Sequence, residues 1–89
     1  MPVSRSVEIT NKRGLHARAS AKFVNLASNL AAQVEVEKDG NRVCGTSIMG
    51  LMMLGAAMGD TITISAEGDG AEGAVGALCE LVEAKFGED

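Results

Sequence analysis

The sequence predicts an α+β fold of order βαββαβα: a four-stranded antiparallel sheet, solvated on one face and covered on the other by three helices. Three observations carry that expectation. Four short segments alternate apolar and polar residues with period 2. Three other segments place apolar residues at helical spacing. The junctions between them are short and rich in glycine, asparagine and aspartate, which is turn chemistry. At 89 residues the chain makes one domain, 1–89, with no room for a second core.

The first strand is read from Val3, Val7 and Ile9, which alternate with Ser6, Glu8 and Thr10. Asn11-Lys12-Arg13-Gly14 then turns the chain. The pattern becomes helical at Ala19, Phe23, Leu26, Ala27 and Leu30 and weakens at Ser28-Asn29. Gln33 to Lys38 alternates again, with Val34 and Val36 facing inward. Asp39-Gly40 is a two-residue hairpin signal, so a strand from Asn41 to about Gly45 is expected to pair back, with Val43 as its apolar contact. Ser47 is placed to cap a short helix over Ile48–Leu54, ended by Gly55. A turn at Gly59-Asp60 leads into a fourth strand, Thr61–Ala66, whose Ile62, Ile64 and Ala66 share a face. After Gly68-Asp69-Gly70, a last helix from Ala71 to Phe86 is expected to bury Ala74, Val75, Leu78, Val82 and Phe86, with Leu81 at the margin. Glu88 and Asp89 read as a frayed tail.

The stretch with chemistry in it is Gly14-Leu15-His16-Ala17-Arg18-Ala19-Ser20, which holds the one histidine of the chain. His16 falls where strand pattern gives way to helix pattern, near backbone N–H groups that have no partner inside the helix. Those amides and the helix dipole favour an anion, a phosphoryl group above all. A neutral imidazole is a competent nucleophile. Arg18 can give a charge-assisted contact to a phosphoryl oxygen, and Lys12 and Arg13 add positive charge. A histidine at a helix start also serves as a plain cap, and these residues alone leave that reading open.

The middle helix carries more apolar residues than one face can bury. Leu51 and Leu54 are read as core. Met49, Met52 and Met53 are read as a binding surface of flexible, polarizable side chains.

Composition narrows the function classes. A net charge of −4 argues against nucleic acid and anionic membrane as main partners. No aromatic lies in a strand pattern, so a base-stacking sheet is excluded as well. The longest uncharged run, Val43 to Gly59, is interrupted by four glycines and falls short of the roughly 20 residues that cross a bilayer. Two cysteines without ligand spacing suggest reduced, structural thiols and no metal site. The N-terminal residues lack the apolar region of a signal peptide, so a cytoplasmic protein is expected.

Three motifs in register resemble HPr, the histidine-containing phosphocarrier family of the bacterial phosphoenolpyruvate-dependent phosphotransferase system. They are Gly14-Leu15-His16-Ala17-Arg18, the run from Ser47 to Gly55, and Thr63-Ile64-Ser65-Ala66-Glu67-Gly68. The resemblance spans essentially the whole chain and implies an open-faced β-sandwich. It implies that His16 takes a phosphoryl group on Nδ1 from phospho-enzyme I and passes it to a downstream acceptor domain. Arg18 and the backbone amides of Ala17 and Arg18 then serve as phosphoryl ligands, with no cofactor. It further implies regulatory phosphorylation of Ser47 by an HPr kinase/phosphorylase, docking of partners on Ile48, Met49, Met52 and Met53, and a monomer. Many relatives have proline where this chain has Ala19, so the helix start is expected to be less stiff here. Two other readings stand beside the carrier: a regulatory adaptor governed by Ser47 phosphorylation, and a structural domain whose histidine is incidental.

Overall fold

A computed structural model describes residues 2–88. Strand β1 (Val3–Glu8) is followed by helix α1 (Ala17–Ser28), strand β2 (Gln33–Lys38), strand β3 (Asn41–Cys44), helix α2 (Ile48–Met53), strand β4 (Thr61–Glu67) and helix α3 (Ala71–Glu83), with a tight turn over Lys85–Gly87. The strands form one sheet in the order β1-β4-β2-β3, every neighbouring pair antiparallel. The central pairing sets Val34 opposite Ala66 and Val36 opposite Ile64; at the edge, Val7 faces Ile62.

One sheet face is apolar because the period of 2 puts Val7, Val34, Val36, Ile62, Ile64 and Ala66 on the same side, all buried. The other face carries Ser4, Ser6, Glu35, Thr63 and Ser65. Helices α1 and α3 bring Ala19, Phe23, Ala27, Val75, Leu78 and Val82 onto the apolar face, and α2 adds Leu51. The buried apolar side chains form one contiguous cluster. The expected open-faced architecture is therefore present, with three helices on one side. Among the described residues, no helix is long and apolar enough to cross a membrane.

Two expectations need correction. Helix α3 ends at Glu83, and does not run on to Phe86. Phe86 is completely buried, as expected, but it reaches the core through a left-handed turn: Lys85, Phe86 and Gly87 have φ of 58°, 56° and 77°. Two non-glycine residues in this region cost about 1–2 kcal/mol each. Burying the Phe86 ring contributes roughly 1.5–3 kcal/mol, and the Phe86 carbonyl accepts a 2.7 Å hydrogen bond from Lys22 Nζ. Together these offset the strain and clamp the segment onto α1. The second correction concerns the thiols. Both cysteines are unpaired, and Cys79 is buried, which pushes its thiol pKa up, but Cys44 is exposed at the end of β3 and is not a core thiol.

Helix α2 divides as its composition suggests. Leu51 is fully buried and Leu54 nearly so, while Met49 and Met53 are 72% and 79% exposed. Leu51→Ala is expected to remove about 2–4 kcal/mol of stability, whereas Met53→Ala stays within about 0.5 kcal/mol of the parent. Urea unfolding monitored by circular dichroism measures both.

Candidate functional site

The site begins at the turn before α1. Gly14 has φ of +64°, a conformation glycine adopts freely, and a second constraint fixes its identity. A Cβ at this position would lie 2.3 Å from the Ala56 carbonyl oxygen and 2.9 Å from Ala57 Cα. The next residue, Leu15, is buried and donates its amide to that same Ala56 oxygen at 3.0 Å. The histidine loop thus rests directly on the loop that follows α2. Ser20 ties the same turn from the other side, its buried hydroxyl donating to the Leu15 carbonyl at 3.1 Å.

His16 is the N-cap of α1, with extended backbone at φ −73° and ψ −179°. Its carbonyl accepts the first intrahelical bond, from the Ser20 amide at 2.9 Å. The amides of Ala17, Arg18 and Ala19 have no partner one turn back. The imidazole turns toward them, and Nδ1 accepts from the Arg18 N–H at 3.2 Å. Sequence reasoning placed the ring at the helix start, and the geometry adds which nitrogen faces it.

At the other edge of the ring, Nε2 pairs with Glu88 Oε2. The second oxygen of Glu88 accepts from Asn11 Nδ2 at 3.0 Å, and the same Nδ2 donates to the Gly14 carbonyl at 2.9 Å. Asn11 is completely buried, and its Oδ1 has no hydrogen-bond partner among the described residues. The bond from Asn11, then the contacts with His16 and the charge of Arg13, hold the Glu88 carboxyl below the usual carboxylate range against the opposing effect of burial. Glu88 is therefore part of the site, which corrects the expectation of a frayed tail; Asp89 lies outside the described residues. No periodicity announces Glu88 or Asn11, because a turn residue and a residue after a left-handed bend follow no helical or strand repeat.

Lys12, Arg13, Arg18 and Lys22 line a shallow cavity of about 400 Å³ together with Gly87 and Glu88. Four cations face one carboxylate in a chain whose net charge is −4. The local excess dominates, since exposed charges beyond about 8–10 Å are screened at ordinary ionic strength. The cavity suits an anion. Among the described residues, no group of three or more His, Cys, Asp and Glu is arranged to hold a metal.

Ser47 repeats the capping arrangement at α2. Its backbone is extended and its hydroxyl accepts from the Gly50 amide at 3.0 Å. Helix α2 packs against α1; Ile48, Met49, Met52 and Met53 stand exposed on it, and Met58 stands exposed on the trailing loop that supports Gly14 and Leu15. The histidine turn and the methionine surface are thus neighbours across the Ala56 contact.

Comparison with known proteins agrees with this architecture. A family model described as the PTS HPr component phosphorylation site matches residues 3–84. The phosphocarrier protein HPr of Cupriavidus necator is 45% identical over 86 residues, 97% of each chain. The phosphocarrier protein NPr of Shewanella violacea is 43% identical, over 97% of this chain and 94% of the relative. A crystal structure of HPr from Thermoanaerobacter tengcongensis superposes with a TM-score of 0.93 at 49% identity, covering 98% of both chains.

Gly14→Ala is expected to destabilise the protein by more than about 1 kcal/mol, since it combines a disfavoured backbone with a collision against main chain. The His16 and Met58 amide resonances should move together in a heteronuclear NMR spectrum of the variant.

The chain belongs to the HPr family of phosphocarrier proteins of the phosphotransferase system.

Proposed function

We propose that this phosphocarrier takes a phosphoryl group from phospho-enzyme I on Nδ1 of His16 and hands it to a downstream acceptor domain of the sugar-uptake or the nitrogen/carbon-signalling branch. The observation that supports this most is the orientation of Nδ1 toward the first turn of α1, where it accepts from the Arg18 amide. The Nδ1 lone pair attacks phosphorus, the N–P bond forms, and the bond to the donor breaks with its electron pair leaving on the donor. The Arg18 amide, released from Nδ1, then donates to a phosphoryl oxygen, as does the Ala17 amide, with the Arg18 guanidinium alongside. The N-cap contact and the acceptor role use the same lone pair in succession. Onward transfer reverses these bonds toward the next acceptor. The protein is in this reading a stoichiometric carrier, a single cytoplasmic domain acting as a monomer.

Ile48, Met49, Met52 and Met53 form the surface that enzyme I and the acceptors meet. Ser47 is the regulatory position, a substrate for an HPr kinase/phosphorylase. A phosphate there brings close to two negative charges to the edge of that surface, where an apolar partner face or an acidic one is repelled. The adaptor reading draws on the same hydroxyl, which caps α2 among exposed methionines.

Incubation with enzyme I and phosphoenolpyruvate is expected to give an acid-labile phosphate that is missing in His16→Ala. Arg18→Ala should fold normally and slow the transfer about tenfold to a hundredfold, the equivalent of one charge-assisted contact. Phosphate that persists in His16→Ala overturns the assignment. Ser47→Asp is expected to weaken enzyme I binding in calorimetry while leaving the isolated protein folded. Equal affinity for enzyme I in Ser47→Ala and Ser47→Asp removes Ser47 from control of the relay.

A further inference from the structure

The segment after α3 is built in a way that packing alone does not require. Two non-glycine residues and Gly87 adopt left-handed backbone in succession, Phe86 is driven into the core, and Lys22 holds its carbonyl. Strained segments persist where the surroundings over-determine them, and they gather at functional sites. What this one delivers is the Glu88 carboxylate, with one oxygen on His16 and the other on buried Asn11.

We propose that Glu88 is a positioning residue for His16: its carboxylate fixes the ring's tautomer and balances the charge the ring acquires when Nδ1 bonds phosphorus. This rests on the reading of His16 as the phosphoryl acceptor. The tautomer follows from the partners. An ionised carboxylate only accepts, so the ring proton sits on Nε2, and the Arg18 amide only donates, so Nδ1 presents a lone pair. The two contacts agree on a single form, and it is the nucleophilic one.

The charge argument is separate. When Nδ1 attacks, the new N–P bond takes the ring's lone pair while Nε2 keeps its proton, so the imidazole becomes cationic. Glu88 already lies against that proton, and the ring and the carboxylate are mostly shielded from water, with side chains 15% and 19% exposed. When phosphorus moves on, the N–P electron pair returns to the ring, which is neutral again with its proton unmoved. No proton transfer is needed in either direction. Carboxylates that hold the far nitrogen of a working histidine orient the ring and raise its basicity in this way.

Asn11 extends the device. Its one amide nitrogen bonds both the Glu88 carboxylate and the Gly14 carbonyl, so the histidine turn and the carboxylate are fixed to one buried group. Lys12, Arg13, Arg18 and Lys22 line the same shallow cavity as the carboxylate, and Asn11, His16 and Arg13 hold it below the usual carboxylate range.

The test uses the full chain with Glu88→Ala and Glu88→Gln, the second of which keeps a neutral acceptor of the same shape. Nitrogen-15 and proton NMR of the imidazole is expected to show a downfield Nε2–H in the parent, shifted upfield in Glu88→Gln and lost to exchange in Glu88→Ala. Phosphorylation by phospho-enzyme I should slow about tenfold in both variants, in line with second partners of functional histidines, with an unchanged far-ultraviolet circular dichroism spectrum. Parental rates in both variants, or in Glu88→Gln alone, would overturn the role of the carboxylate while leaving His16 as acceptor. A parent chain that takes up no phosphoryl group would overturn both.

Discussion

The sheet can be covered from one side only, and most of the molecule follows from that. The strands supply a single apolar face, built of Val7, Val34, Val36, Ile62, Ile64 and Ala66 with no aromatic among them. Side chains this short leave a shallow layer, so the helices must lie close to the sheet to exclude water. Helices α1 and α3 do so along their length, with Phe23 and Phe86 as the two bulky fillers. The connections are then forced to one end, where the turn into α1 meets the loop leaving α2. Gly14 is the point of contact, and a β-carbon cannot be fitted there.

That crowding serves the chemistry. A cap is ordinarily a stability device, contributing about 1 kcal/mol through one lone pair and one amide. In His16 the capping atom is also the atom with nucleophilic character, so the resting contact points it at the place where an anion is best stabilised. In the proposed transfer the Arg18 amide would give up a modest hydrogen bond to gain a charged one. The phosphoryl group would then meet a site already oriented, with little rearrangement left to make.

Much of this was legible in the residues. Period-2 alternation located β1, β2 and β4 because each has one dry and one wet face, as in Gln33–Lys38, whereas β3, with only Val43 half-buried, followed from the turn before it. Asp39-Gly40 marked the hairpin, and Asp39 indeed takes a left-handed φ of 52°. The excess of apolar residues over Ile48–Met53 separated Leu51 from its exposed neighbours. His16 was placed at the helix start by the change of period. The strand order was not legible, since alternation says which face a residue occupies and nothing about which strand lies beside it. Glu88 was missed for a different reason. Its position depends on a left-handed bend at Lys85 and Phe86, residues that give no sign of favouring one, and on a hydrogen bond from Asn11, 77 positions away in sequence. Asn11 itself read as ordinary turn chemistry, although its side chain is as deeply buried as the core.

The exposed thioethers of Met49 and Met53 have an outcome of their own under oxidative stress. Conversion to sulfoxide makes such a side chain polar and chiral, and these two stand farthest into solvent. Leu51 and Leu54 beneath them hold the helix in place and offer no sulfur to attack. Peroxide would therefore alter the surface proposed to meet partners well before it loosened the fold, and a reductase acting on the exposed sulfoxides would restore it without any refolding.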